Sequence, residues 1–127
     1  MLIRRLKDCK EIIAGDACHL RELLSAKQDC FSFRYSLAHA VVKAGQKTKP
    51  HALKTSEVYY ILEGRARMHI GPESAEIEAG CAIDIPPNAV QWIENTGARD
   101  LLFLCIVDPA WCPEDEVVLF EMSLPRI

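Results

Sequence analysis

Gly45-Gln-Lys-Thr-Lys-Pro-His51-Ala-Leu53-Lys-Thr-Ser-Glu57-Val-Tyr59-Tyr-Ile-Leu-Glu-Gly64 and, after a gap of 15 residues, Gly80-Cys-Ala-Ile-Asp-Ile-Pro86-Pro-Asn88-Ala-Val-Gln91-Trp-Ile-Glu-Asn95 decide how this chain is read. In an extended chain, residues at even separation share a face. His51 and Leu53 therefore point the same way, and Glu57 and Tyr59 do so on the strand that follows. Gly64 and Gly80 fall where hairpins are expected to turn, and Pro86 is expected to open the next strand.

Outward from these stretches the apolar period stays near 2. Phe31 to Val41 alternates cleanly, and so does Ala66 to Ile70. Val58 to Leu62 and Leu101 to Val107 are near-continuous β-type runs, as expected of strands buried on both faces. Turn chemistry separates them at Gly71-Pro72, Pro86-Pro87-Asn88 and Asn95-Thr96-Gly97. Cys18 to Leu24 is short enough to be helix or strand and is read as a strand. Asp108 to Glu116, with two prolines, is expected to be an ordered loop, and Val117 to Phe120 a last strand. Short strands at this spacing predict an all-β sandwich or closed barrel. One domain spans 1–127, with no linker or internal repeat.

Composition narrows the function classes. A chain of 127 residues buries about two-thirds of its unfolded surface, enough for a core without disulfide or metal staples. Half the residues are hydrophobic and the net charge is −3 without blocks of one sign, which argues against nucleic acid and against an anionic membrane surface. No apolar run reaches membrane-spanning length, and the charged start Met1-Leu-Ile-Arg-Arg-Leu-Lys-Asp8 does not read as a signal peptide. A cytoplasmic protein is expected. The cysteines at 9, 18, 30, 81, 105 and 112 form no Cys-x-x-Cys pair and are read as free thiols. Phosphate loops, nucleophile elbows and His-Glu-x-x-His are absent.

The two opening stretches resemble the signature motifs of the cupin superfamily, G-x5-H-x-H-x3,4-E-x6-G and G-x5-P-x-G-x2-H-x3-N. Seven of the ten defining positions match with unbroken spacing, motif one over 45–64 and motif two over 80–95. The resemblance implies a double-stranded β-helix, a jelly-roll barrel. In that family two histidines and a glutamate of motif one and a histidine of motif two hold a divalent metal, and imidazole with carboxylate suits manganese, iron, nickel, copper or zinc. Here Leu53 stands for the second histidine, Gln91 for the histidine of motif two, and Asn88 for its central glycine. The metal set implied is His51, Glu57 and Gln91, with Tyr59 a further ligand by analogy with some cupin lyases. Three protein ligands and a water suffice for a catalytic metal.

Glu57 and Tyr59 are the candidate catalytic groups. Glu57 is followed by five apolar or aromatic residues, where an inward carboxylate is costly unless paired. Leu53, Tyr59, Cys105 and Arg34 are the candidate cavity residues, Arg34 as an anion binder, with Ala38 and Ala40 leaving room for a ligand. His39 and His69, on alternating strands, read as structural. Two functions follow from the resemblance. One is a metal-dependent enzyme of isomerase, lyase or dioxygenase type acting on a small molecule. The other is a metal-free cupin that binds a small sugar or carboxylate. A homodimer is expected through sheet edges and apolar outer faces, with Trp111 and the final strand as contacts. A purely scaffolding dimer fits poorly with polar residues kept inside a barrel.

Overall fold

The structure, a computed structural model, describes residues 1–25 and 34–119. The period-2 runs form two antiparallel sheets. One has six strands in the order β1 (Ile12–Ile13), β2 (His19–Leu24), β3 (Ser36–Val42), β10 (Leu101–Asp108), β5 (Ser56–Glu63) and β8 (Ala82–Ile85). The other has five, β11 (Glu116–Val118), β4 (His51–Leu53), β9 (Gln91–Asn95), β6 (Arg65–Ile70) and β7 (Glu73–Glu78). From β4 onward the chain changes sheet at nearly every step, which winds it into a double-stranded β-helix. The strand expected over Cys18 to Leu24 is β2, starting at His19, and the loop expected over Asp108 to Glu116 spans 109–115 between β10 and β11, with one 3-10 turn, Pro113–Asp115.

Register sorts the side chains by parity. Ala38 opposes Cys105, Ala40 opposes Phe103, and on the other flank of β10 Cys105 opposes Tyr59 and Val107 opposes Glu57. All of these face inward. Phe103, Ile61, Ile85, Ile93 and Leu101 form the sealed core between the sheets, with the Tyr59 and Phe103 rings 4.6 Å apart. The five described cysteines are all free thiols; Cys30 lies outside the described residues.

Four sequence expectations change. Gly64 and Gly80 do not turn hairpins: β5 and β6, like β7 and β8, lie in different sheets, so these glycines are corners, and Gly71-Pro72 is the turn that joins paired strands. Pro86 closes β8 rather than opening β9, because Pro86-Pro87-Asn88 forms the turn between them. The runs 58–62 and 101–107 are not buried on both faces, for the outer side chains of Tyr60, Leu62 and Ile106 are about 40% exposed in the single chain. The strand expected from Phe31 begins at Ser36, residues 31–33 lying outside the described part, and the last strand is Glu116–Val118, with Phe120 likewise outside.

The motif residues that are not site residues shape the backbone. Asn95 Nδ2 donates to the carbonyls of Val42 (2.9 Å) and Arg99 (2.7 Å), and its Oδ1 accepts from Gly97 N–H (2.9 Å), which pins the turn after β9. Asn88 sits at φ 67°, left-handed space that asparagine tolerates, so the change from glycine keeps the turn. Gly64 is stricter. Its φ is +99°, and a Cβ there would meet Asp100 O and Leu101 Cα at 3.2 Å, both backbone atoms. Gly80 has φ +92° but open space around its Cβ position. Gly80→Ala is therefore expected to cost about 1 kcal/mol and Gly64→Ala about 2–3 kcal/mol. Urea midpoints of the two variants test this; equal losses would mean that the contact with the 100–101 backbone is not what fixes Gly64.

Candidate functional site

Strands β4, β5 and β10 bring the motif residues to a cavity of about 250 Å³. His51 enters at the start of β4, Glu57 and Tyr59 from β5, Cys105 and Val107 from β10, and Leu53 from the end of β4. Apolar side chains of the N-terminal half, among them Ile12, Leu20, Leu24 and Leu37, complete most of the wall. The small Ala38 keeps the space open on the β3 side, as expected; Ala40 is sealed in the core instead.

The polar end is built from three parts of the chain. His51 is 2% exposed; its Nδ1 bonds the Lys49 carbonyl at 2.9 Å and its Nε2 lies 3.7 Å from Asp16 Oδ2. Asp16 belongs to the tight turn after β1, which closes through Ala17 N–H to Ala14 O and is tied to the approach of β4 by Lys49 N–H to Asp16 O (2.7 Å). Its Oδ1 accepts from Cys18 N–H (3.2 Å), and its charge adds to burial in pushing the Cys18 thiol up. Glu116, at the start of β11, lines the same end, as does Trp111. A Cβ on Gly15 would sit 3.3 Å from Glu116 Oε2, so the two chain ends meet closely here.

Glu57 is 6% exposed, and Gln91, with no exposure at all, donates from Nε2 to Glu57 Oε1 at 2.7 Å. Burial pushes the Glu57 carboxyl up to about 7; the Gln91 hydrogen bond and His51 oppose that rise, while Asp16 and Glu116 add to it. Glu116 is also raised, chiefly by burial and against the pull of His51. Burial holds the Tyr59 hydroxyl and the Cys18 and Cys105 thiols well above their ordinary values, so all three are neutral. Such thiols are not nucleophiles.

The sequence-derived candidates divide by position. His51, Leu53, Glu57, Tyr59 and Cys105 all line the cavity. Gln91 does not; it stands behind Glu57 and bonds it, with its own Oε1 buried and without a partner among the described residues. Arg34 does not line the cavity either. Its side chain is 84% exposed and pairs with Asp108 at 3.4 Å, because β3 starts only at Ser36 and the alternation that would turn Arg34 inward has not begun. Trp111 is half-buried, lines the cavity, and donates its backbone N–H to Ser36 Oγ. His39 lies on the outer face of the six-stranded sheet, and His69 pairs with Glu94 (2.7 Å) and stacks on Trp92. Asp16 and Glu116 are the site residues that motif reading misses. Neither sits in a periodic run, and Glu114-Asp115-Glu116 reads as a solvated acidic cluster.

Whether this donor set fits the family's metal is decided at the motif positions. Leu53 has no donor atom, and Gln91 turns its amide nitrogen to Glu57, so these two do not converge with His51 and Glu57 on a common point. Among the described residues no three His, Cys, Asp or Glu side chains are arranged to hold one ion. The residues do not fit the four-ligand metal of the motif.

Comparison with known proteins agrees with the fold. A model of the cupin domain family matches residues 38–107. An uncharacterized protein of Methanocaldococcus jannaschii is 40% identical over 111 residues, 87% of this chain and 88% of that one. Among solved structures, the polyketide cyclase RemF of Streptomyces resistomycificus superposes with TM-score 0.78 (21% identity, 94% of this chain, 86% of that one). A predicted oxalate decarboxylase of Thermotoga maritima does so with TM-score 0.75 (22% identity, 85% and 99%), and a Cupin 2 conserved barrel domain protein of Salinispora arenicola with 0.73 (17%, 90% and 91%). These structural likenesses speak for the barrel and not for a reaction. With the family model matching more than half of the chain and both motifs present in order, the chain belongs to the cupin family.

Proposed function

We propose that the barrel cavity binds a small organic molecule directly, without a metal at the motif positions. The observation that carries this is the Gln91–Glu57 hydrogen bond with Leu53 at the second ligand position: two motif residues bond each other where the family would place an ion. Between the two functions left open by the sequence, the donor set favours direct binding over metal-dependent chemistry. Any chemistry in the cavity would then run through Glu57, whose carboxyl near 7 suits it to take or give a proton at neutral pH, with the neutral Tyr59 hydroxyl as a hydrogen-bond donor. Among the described residues no helix is long and apolar enough to cross a membrane. We also propose that two copies pair through the outer face of the six-stranded sheet. Tyr60, Leu62 and Ile106 are exposed there side by side on β5 and β10, an apolar surface that a partner sheet would cover.

Elemental analysis of untagged protein tests the metal question. Wild type is expected to carry no stoichiometric manganese, iron, nickel, copper or zinc and to take up none in calorimetry. The double variant Leu53→His with Gln91→His is expected to gain a site. Near-stoichiometric metal in wild type, lost in both His51→Ala and Glu57→Gln, would overturn the proposal and restore the metal-dependent reading.

The Glu57 carboxyl gives a pH signature. Its value rises from 4.5 to about 7 on folding, so the folded state holds the proton more tightly. That contribution is complete below about pH 4.5, is lost as pH rises toward 7, and is flat beyond. Relative to Glu57→Gln, wild type should lose on the order of 3 kcal/mol between pH 4.5 and 7.5 in urea unfolding. A difference that does not change with pH would mean that Glu57 stays ionised when folded, as a metal ligand would.

For the pairing, light scattering should give twice the chain mass for wild type and the single mass for Ile106→Lys. A monomeric wild type would remove the dimer.

A further inference from the structure

The charge and hydrogen-bonding balance of the cavity says what kind of molecule it can hold. This inference rests on the cavity being the binding site. Three carboxylates, Asp16, Glu57 and Glu116, line it from a turn, a central strand and an edge strand, and Glu22 adds a fourth. Among the described lining residues there is no lysine or arginine. The cation that the sequence offered for an anionic ligand, Arg34, is on the outside and paired with Asp108. His51 is the sole basic side chain in the described wall, and Asp16 already faces it at 3.7 Å.

A second observation is independent of that charge count. Two nearly sealed side chains in the wall keep polar atoms without partners among the described residues. Glu57, 6% exposed, uses Oε1 for Gln91 and has no other side-chain hydrogen bond among the described residues, so Oε2 accepts from none of them. The Tyr59 hydroxyl, in a residue 2% exposed, also has no partner among the described residues. Neither atom is sealed off by protein, so both are open to the cavity and can meet a donor or acceptor brought by whatever fills it. The rest of the wall, Leu20, Leu24, Leu37, Leu53 and Val107 among it, is apolar.

We infer that the cavity takes a small molecule with a positively charged nitrogen head, an ammonium or a guanidinium, and an apolar body. A charged N–H donor can reach Glu57 Oε2 and the Tyr59 oxygen together, and its hydrogen bond to the carboxylate is stronger than the one a neutral hydroxyl would make there. The positive charge offsets the carboxylates in a site where water does little screening. A carboxylate or phosphate head would bring a further negative charge to that end and find only His51, which Asp16 already faces, and this disfavours the carboxylate class. The apolar body covers the leucine-rich wall and excludes water from the head.

Calorimetry at pH 7.5 with three probes of one skeleton, benzylamine, benzyl alcohol and benzoate, tests this on the full-length protein. Benzylamine is expected to bind at least tenfold tighter than the alcohol, and benzoate weaker than either. Asp16→Asn and Glu116→Gln, each checked for an unchanged thermal melt, should lower the amine-to-alcohol ratio at least threefold. Ala38→Met, which narrows the cavity without touching a charge, should weaken all probes that bind. Equal affinity for amine and alcohol, or benzoate binding as well as the amine, would overturn the charge inference and leave the cavity reading standing. Binding that ignores Ala38→Met, or no binding by any probe, would overturn both.

Discussion

The hydrogen bond from Gln91 Nε2 to Glu57 Oε1 is the constraint around which the barrel's polar end is organised. β5 and β9 belong to different sheets, and this 2.7 Å contact joins them near the cavity. Both partners are nearly sealed from water, so the bond is made in a medium where it is strong and where its loss would leave two polar groups unsatisfied. A carboxylate this deep needs a donor or a cation. Motif residues of the family usually give it a metal; here it has one amide, and the balance shows in a carboxyl raised to about 7. A single neutral donor does not offset the burial cost, so the proton becomes the second partner.

The remaining charges follow from that arrangement. With Glu57 held near neutrality, the cation that a motif site would contain has no counterpart at the centre, and the basic group left is His51. Its ring is fixed by the Lys49 carbonyl at Nδ1, so Nε2 is the atom turned to Asp16. Asp16 and Glu116 come from the two ends of the chain and are brought together at Gly15, where a side chain would crowd Glu116 Oε2. The site is thus part motif and part closure, with the closing segments supplying the charge.

What is legible in the sequence and what is hidden there divide along the same line. Parity within a strand is a local rule, so the common facing of His51 and Leu53, and of Glu57 and Tyr59, follows from residue spacing alone, and the pairing of β10 with β5 adds Cys105 to the same side. Parity fails where no strand exists, which is why Arg34, two residues ahead of β3, turns outward. Asp16 and Glu116 are hidden for a different reason. Their approach to His51 depends on the backbone bond from Lys49 to Asp16 and on β11 pairing with β4, contacts between segments far apart in sequence. The corners at Gly64 and Gly80 look like hairpins because local turn chemistry does not say whether the next strand pairs with the last one or crosses to the other sheet. The orientation of Gln91 is set by its partner, 34 residues away.

Leu53 and Gln91 make physical sense as a pair and not one at a time. A lone change of the second motif histidine to leucine would leave a carboxylate and two imidazoles, still enough for a weak metal site. A lone change of the motif-two histidine to glutamine would leave two imidazoles and a carboxylate beside an amide that competes for the carboxylate. Together they remove two nitrogen ligands and add one donor directed at the buried carboxylate, whose charge no longer has a metal to meet. The leucine then presents an apolar surface, 4% exposed, on the cavity wall beside His51. A polar residue at 53 would need its own partner in the same small space, where His51 and Asp16 already face each other and Glu57 holds Gln91. The two departures from the motif therefore read as one change of chemistry, from coordination of an ion to a proton-sharing carboxyl beside an apolar wall.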